Sequence, residues 1–438
     1  MLKSAAAAVL FLTLGLEGAC FAEGPLRLNL AEALETAASR HLDILLADEK
    51  VQQAYARAGT AAAQLLPQVH VSASQSRRTL NLLAMGIPAP TREPVVGPFN
   101  AFDARLAAQQ ALFDWGAFER LRAARASKKL SEAERVKTRE DVLALTAALY
   151  FDAKRACEQM RSAEASLASR LLGAETAHEA ARNGSGTALE ADRAADAVLA
   201  ARETLESSRA AASARRRELL ASLALDPGTP VIFPVRERAG LWSGLDLSRR
   251  PPHEEHPDVL RLDALVADRK AERRAAAADF LPRVSGLADY GPSGTEPSSW
   301  DPTYTLAAKV DWPLFEGGRK LFNLKQARSL LREAEAQKKD ALLSVDAALA
   351  SALEHLQEAA FQAEVRERRY RTARREWAYA LNRYRQGMAA PAERYQVYSA
   401  YLEAADLRSE GEALLQLAFV RTAHAMGRLS QVFSAEES

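Results

Sequence analysis

Cysteine is nearly absent: the 438 residues contain two, Cys20 and Cys157. Only Cys157 lies beyond the N-terminal leader, and one thiol cannot close an internal disulfide, so the exported fold has to hold without one. Cys157 falls in a helical pattern and reads as a small packing residue rather than a nucleophile. An excess of either charge is missing too. The formal net charge of +1 excludes a nucleic-acid binder steered by net charge, and Arg215-Arg216-Arg217 reads as a solvated helix face. Long apolar runs are lacking. Ala5 to Leu16 is too short for a spanning helix. A mature chain that crosses a membrane would have to do so with strands. Proline and glycine are scarce over long stretches, which leaves a composition of helix formers: Ala, Leu, Glu, Arg and Lys.

The N-terminus has the form of an export signal. Lys3 provides the positive start, Ala5 to Leu16 the apolar core, and Cys20-Phe21-Ala22 the small residues before a cut after Ala22. The alternative is lipidation at Cys20 after Gly18-Ala19, with Glu17 standing where a lipoprotein signal wants Leu.

The rest of the chain is one plan written twice. His41–Val69 aligns with His256–Val284 at an offset of 215, matching His41/His256, Asp43/Asp258 and Leu66-Pro67/Leu281-Pro282. Leu112-Phe113-Asp114 and Gly116 match Leu314-Phe315-Glu316 and Gly318 at 202, and Gly184/Gly387 and Glu190/Glu393 match at 203. The fall from 215 to 202 places about thirteen extra residues in copy one, around Leu80–Gly97, where prolines and glycines mark a loop. The expected divisions are a leader 1–22, a first repeat 23–225, a linker 226–256, a second repeat 257–431 and a tail 432–438.

Each repeat reads helix, strand, loop, strand, long helix, turn, helix. The opening helix of copy one is expected over Leu30–Gln64, and the strands near 69–81, 102–112, 283–290 and 303–312. Tyr304, Leu306, Ala308, Val310 and Trp312 alternate with Thr305, Ala307, Lys309 and Asp311, giving one apolar and one polar face. A Gly/Pro/Ser loop is expected over Gly291–Pro302. Pro67, Phe113 and Gly116 mark the first strand–helix junctions, and Pro282, Pro313, Phe315, Gly317 and Gly318 the second. Strands of about 9–11 residues fit a tilted barrel strand that crosses a bilayer. A soluble antiparallel sheet alternates equally well.

The helices tilt that balance. From Gly116 to Arg182 there is no proline and, after the first residue, only Gly173, so the rod could run ~100 Å at 1.5 Å per residue. Val142, Thr146, Leu149, Ala153, Ala156, Met160 and Ala163 form a heptad seam. Leu342, Val345, Leu349, Ala352 and Leu356 repeat it, and Tyr370, Ala373, Trp377, Ala380 and Tyr384 resume it. Such a seam has to meet other long helices. The linker Asp226–His256 reads as an irregular segment across their outside.

Catalytic chemistry does not assemble. His253-Glu254-Glu255-His256 has the wrong spacing for a helical zinc motif and is followed by Pro257, and Gly317-Gly318-Arg319-Lys320 lacks the pattern of a phosphate loop. No catalytic, metal or cofactor site is expected. The two turns are more informative. Gly184 and Gly387 close the long helices, Thr187 and Pro391 suit the start of the next, and charge gathers around them. Copy one has Arg182, Glu190 and Asp192, and copy two has Arg385, Glu393 and Arg394.

In order and duplication these pieces resemble the TolC-type outer membrane efflux protein family. The resemblance rests on Leu30-Ala31-Glu32-Ala33-Leu34, His256-Pro257-Asp258-Val259-Leu260, Leu66-Pro67, Leu281-Pro282, Trp312 to Gly318 and Tyr384-Arg385-Gln386-Gly387. It implies a mainly α protein with transmembrane β structure. In a homotrimer each chain would give four strands to a twelve-stranded outer membrane barrel, with a helical tunnel across the periplasm of a Gram-negative bacterium. The tips would meet a periplasmic adaptor and an inner-membrane pump of RND or ABC type. It also implies tip or gate roles for Glu190, Glu393 and Tyr384. Ala389 and Gln396 depart from the family's gate arginine and second acid. The alternative is a periplasmic adaptor with a coiled-coil hairpin, against which the duplicated helix–strand–strand–helix plan argues.

Overall fold

The computed structural model describes residues 26–86, 88, 95–234, 242, 253–296, 299–389 and 391–430. The leader, its cleavage point, Cys20 and the tail lie outside them.

The expected opening helix is two helices, α1 (Leu30–Arg40) and α2 (Leu42–Ala63). Asn29 starts α1 in a reciprocal capping box with Glu32. His41 then interrupts the run in an extended conformation, because its imidazole Nδ1 accepts the Asp43 N–H at 3.2 Å and caps α2. A side chain that satisfies the next helix's donors competes with continuing the first. His256 does the same for α5 (Pro257–Ala278), accepting from the Asp258 N–H at 3.2 Å. Both histidines are buried.

The rods are α3 (Trp115–Arg182, 68 residues) and α6 (Arg319–Arg385, 67 residues), each folding back through α4 (Ala188–Ser222) and α7 (Pro391–Ala425). Their heptad residues are inside: Val142, Thr146, Ala153, Ala156, Ala163, Leu349, Ala352, Leu356 and Ala380 are all buried. Towards the tips the helices stand side by side in the order α4, α3, α7, α6. Towards the sheet the order is α2, α3, α5, α6.

The main core lies at mid-height, where Tyr150 and Phe151 of α3 meet Leu30 and Leu34 of α1, Leu219 of α4 and Val420 of α7. Tyr150 donates its hydroxyl to the Leu28 carbonyl at 3.2 Å. The linker contributes more than an outer wrapping. β1 (Leu26–Arg27) pairs in parallel with β4 (Val231–Ile232), and Phe233 is buried edge-on against Tyr150. Trp242 stacks on Phe419 and donates to Gln416 Oε1 at 2.6 Å. Four apolar residues scattered in a proline-rich stretch carry no period from which this docking could be read.

Four longer strands form one antiparallel sheet in the order β2-β3-β5-β6: β2 (Gln68–Asn81), β3 (Val95–Phe113), β5 (Arg283–Glu296) and β6 (Ser299–Asp311). β3 begins seven residues before the expected 102, and β5 runs six past the expected 290. The expected Gly291–Pro302 loop is therefore mostly ladder, with Gly291 opposite Thr303 and Pro292 opposite Pro302. The ladder needs glycine at 291 because an added Cβ would collide with the Ala104 carbonyl oxygen of β3. Gly291→Ala is therefore expected to force these two strands apart, costing several kcal/mol of the overpacking kind. The check is the amount of folded protein recovered, which should fall at least several-fold against Gly286→Ala, where the nearest contact is 3.3 Å.

One buried acid opposes stability. Asp268 of α5 is 5% exposed, with Glu272 and Glu134 adding like charge and Arg269 4.0 Å away. Burial, then Glu272, pushes its carboxyl up to about 6. A carboxyl raised in the folded state costs stability as pH climbs from its ordinary value through the raised one. Asp268→Asn should thus stabilise the chain by about 1–3 kcal/mol at pH 7.5. The gain should shrink towards zero near pH 4, as thermal melts at the two pH values would show.

Candidate functional site: the sheet, the junctions and the tips

The sheet has two chemically different faces. Val69, Val71, Leu106, Tyr290, Tyr304, Leu306 and Val310 lie on one side in register, and all are exposed in the single chain. A contiguous apolar surface of this kind marks a contact with lipid or protein. On the other side Arg105 of β3 donates from Nε to Asp103 at 2.8 Å, from Nη2 to Thr303 of β6 at 3.2 Å, and to Asp289 of β5. One guanidinium thus ties three strands. Lys309 and Asp311 pair at 3.0 Å on that same polar side. Among the described residues the outer edges of β2 and β6 carry no partner strand. No helix among the described residues is long and apolar enough to cross a membrane.

Both junctions are fastened to the turn between α5 and β5. At the first, Phe113 ends β3, Asp114 caps α3 by accepting the Ala117 N–H at 2.8 Å, and Gly116 is buried in the first turn. Arg120 bridges Asp114 at 3.4 Å and Asp279 at 3.3 Å. At the second, Trp312 donates its indole N–H to the Phe280 carbonyl at 3.2 Å, and Lys320 donates to the Pro313 carbonyl at 2.8 Å. Gly317 and Gly318 take φ of 61° and 84°, the left-handed turn that starts α6. Phe315 is 86% exposed in the single chain. Pro67 and Pro282 stand immediately before β2 and β5. Arg120, Asp279, Phe280 and Lys320 escaped the sequence reading because they are joined only by the fold.

The tips differ from one another. Gly184 and Gly387 both take the left-handed φ that closes a helix, 71° and 72°. In the first tip Arg182 and Asp192 are exposed, and Glu190 accepts the Thr187 N–H at 2.9 Å while Thr187 Oγ1 accepts the Glu190 N–H. This reciprocal capping box, chiefly the Thr187 backbone bond, holds the Glu190 carboxyl below its ordinary range. In the second tip Arg383 donates to Glu393 at 2.6 Å and to the Met388 carbonyl at 2.9 Å. The Arg394 guanidinium sits 4.3 Å from the Tyr384 ring centre and 5.2 Å from that of Tyr395. Arg385 is exposed. Glu393 and Tyr384 are therefore engaged within their own hairpin. Arg383 and Tyr395 were missing from the sequence reading.

Between the hairpins lies an open groove of about 900 Å³, lined by Ser166, Gly173 and Glu190 on one side and by Tyr395, Ser399 and Glu403 on the other. Deeper, Ser409 of α7 hydrogen-bonds Glu158 of α3, whose carboxyl burial pushes up, and Glu410 receives Arg155 at 3.5 Å and Arg366 at 3.1 Å. Among the described residues no cluster of His, Cys, Asp or Glu could hold a metal ion.

The model of the outer membrane efflux protein family matches this chain over residues 33–225 and 253–428, most of its length in two segments. The chain belongs to that family. It is an outer membrane efflux protein whose helices extend into the periplasm, and its family and fold are those of outer membrane channels rather than enzymes. A curated relative, the pyoverdine export outer membrane protein OpmQ of Pseudomonas putida, is 26% identical over 324 residues. The match takes in 72% of this chain but 66% of the relative, a little under two thirds of that protein's length. Among solved structures, the CmeC outer membrane channel of Campylobacter jejuni aligns with a TM-score of 0.76 at 18% identity, covering 94% of this chain and 89% of its own. VceC of Vibrio cholerae aligns at 0.73 and 19%, covering 91% and 96%. At such identities these two speak for the fold of this family member.

Proposed function

We propose that the protein is the exit duct of a tripartite export assembly: a homotrimer that passively conducts cargo delivered by an inner-membrane pump of RND or ABC type through a periplasmic adaptor. The observation that carries this reading is the four-stranded sheet with two open edges and an exposed apolar face. Open edges cannot face hydrocarbon, since each unpaired backbone group there costs several kcal/mol. Three copies would close twelve strands, with the apolar face to lipid and the Arg105 side to the lumen. The rods then continue the lumen inward, the junction residues turn barrel into tunnel, and the charged tips receive the adaptor. Cargo choice rests with the pump.

The test is fractionation followed by conductance. A heat-modifiable trimer in outer membranes that forms channels in planar bilayers supports the duct. A soluble periplasmic monomer rejects it.

A further inference from the structure

A second cavity, of about 470 Å³, opens between α2, α3 and α5. Leu46, Val142 and Leu145 give it an apolar wall. Most of the charge on its other walls is answered within the protein. Arg135 pairs with Asp48, and Lys137 with Asp141 at 2.6 Å and Asp258 at 3.4 Å. Asp141 also meets His424 at 3.0 Å, and Asp43 lies 3.8 Å from the His41 imidazole. Lys50 is exposed. Glu134 of α3 and Arg261 of α5 are different: both line the cavity, both are half-buried, and neither joins an ion pair among the described residues.

These two charges nonetheless stand at one level. α3 runs away from the sheet and α5 towards it. The Lys137–Asp258 contact, moved three residues along each helix, therefore sets Glu134 opposite Arg261. Opposite charges on facing helices thus line one cavity without meeting across it. Arg261 Nε is shut off from solvent and has no hydrogen-bond partner. A buried donor without an acceptor carries its full desolvation cost, and folded proteins leave few such groups unanswered. Glu134 finds no relief nearby either, since its charge acts on Asp268, another acid.

We infer that this cavity binds an apolar zwitterion of dipeptide size, with its carboxylate on Arg261, its ammonium on Glu134 and its side chains against Leu46, Val142 and Leu145. The volume lies in the range of small-molecule sites. A carboxylate is the acceptor that a guanidinium fork fits best. A lone anion would leave Glu134 without a partner, and a lone cation would leave Arg261 without one. A single amino acid carries both charges on one carbon, whereas a dipeptide sets them apart, as a cavity between two helices requires. The site belongs to the helices of one chain, so it stands whether or not three copies assemble.

The experiment titrates the full chain, purified in nonionic detergent, with leucyl-phenylalanine by calorimetry, against detergent alone. Saturable binding at one site per chain is expected. The N-acetylated dipeptide and the dipeptide amide each lack one charge, and each should bind at least tenfold more weakly. Arg261→Gln should weaken the free dipeptide by a similar factor and leave the amide unchanged. Glu134→Gln should weaken the free dipeptide and leave the acetylated form unchanged. Arg261→Gln should not lower the melting temperature, because it removes a cation that has no partner. No saturable binding, or three peptides that bind the parent protein alike, overturns the site even where a variant fails to fold. Parent affinity in both folded variants overturns the roles of Glu134 and Arg261.

Discussion

Severing the second tip, with Arg383→Ala and Tyr384→Ala together, is expected to raise single-channel conductance several-fold in planar bilayers. Arg383 contributes one ion pair and one hydrogen bond to the Met388 carbonyl, and Tyr384 offers its ring to Arg394. A half-exposed ion pair of this kind contributes roughly 0.5–1 kcal/mol and a cation–π contact about as much. Together with the carbonyl bond, a protomer holds about 2 kcal/mol in contacts that bind the start of α7 to the end of α6. Three protomers acting together hold about 6 kcal/mol, against the roughly 5.5 kcal/mol that moves a two-state equilibrium from 1:99 to 99:1. All of these contacts lie within one hairpin, so they govern the resting state through an opening that shifts the start of α7 against the end of α6. Glu190→Gln in the first tip should change conductance little, because that carboxylate only closes its own helix cap. Equal conductance of the double variant and the parent would reject the gating role.

The contrast between the tips shows where sequence reading stops. Gly184, Gly387, Thr187 and Pro391 were legible because each answers a local backbone need at a helix end. The rods were legible for the same kind of reason, since heptads repeat for tens of residues without a breaker. Arg383 and Glu393 are ten positions apart on two different helices, and their pairing exists only once the Gly387 turn has folded α7 back. Glu190 and Glu393 occupy matching places in the repeats yet differ in partners, because copy one has the Thr187 hydroxyl to accept in return and copy two has Ala390 at the matching place, with Pro391 opening α7. The strand ends failed differently. Gly291-Pro292-Ser293-Gly294 has the composition of a loop, and its place in the ladder is set by how closely β3 approaches it. The break at His41 was hidden inside a good helical pattern, since a histidine accepting at a cap looks like any other polar residue.

Replacing Glu140 should cost more stability than any tip variant. Its carboxylate is 4% exposed and accepts the Leu429 N–H at 3.0 Å and the Ser430 N–H at 3.1 Å, just beyond the end of α7. Leu429 itself is fully buried, in the core with Leu30, Leu34 and Tyr150. The carboxylate thus satisfies the buried Leu429 N–H and the part-buried Ser430 N–H at the edge of the core. Glu140→Ala leaves both donors without an acceptor, at about 1–3 kcal/mol each, and opens a small cavity beside them. The expected loss is about 3–5 kcal/mol. Glu140→Gln keeps one acceptor oxygen and should lose roughly half of that, since hydrogen bonds to a charged group are about twice as strong as neutral ones. Thermal melts of the purified protein rank the three forms, and limited proteolysis should clip the Glu140→Ala chain first near residues 425–430. Melts that agree within a degree would mean that the C-terminal segment is held by Leu429 alone. The same contact also explains why the core sits at mid-height: α3, α1 and the returning end of α7 meet there, and a single buried acid fixes the last of them in place.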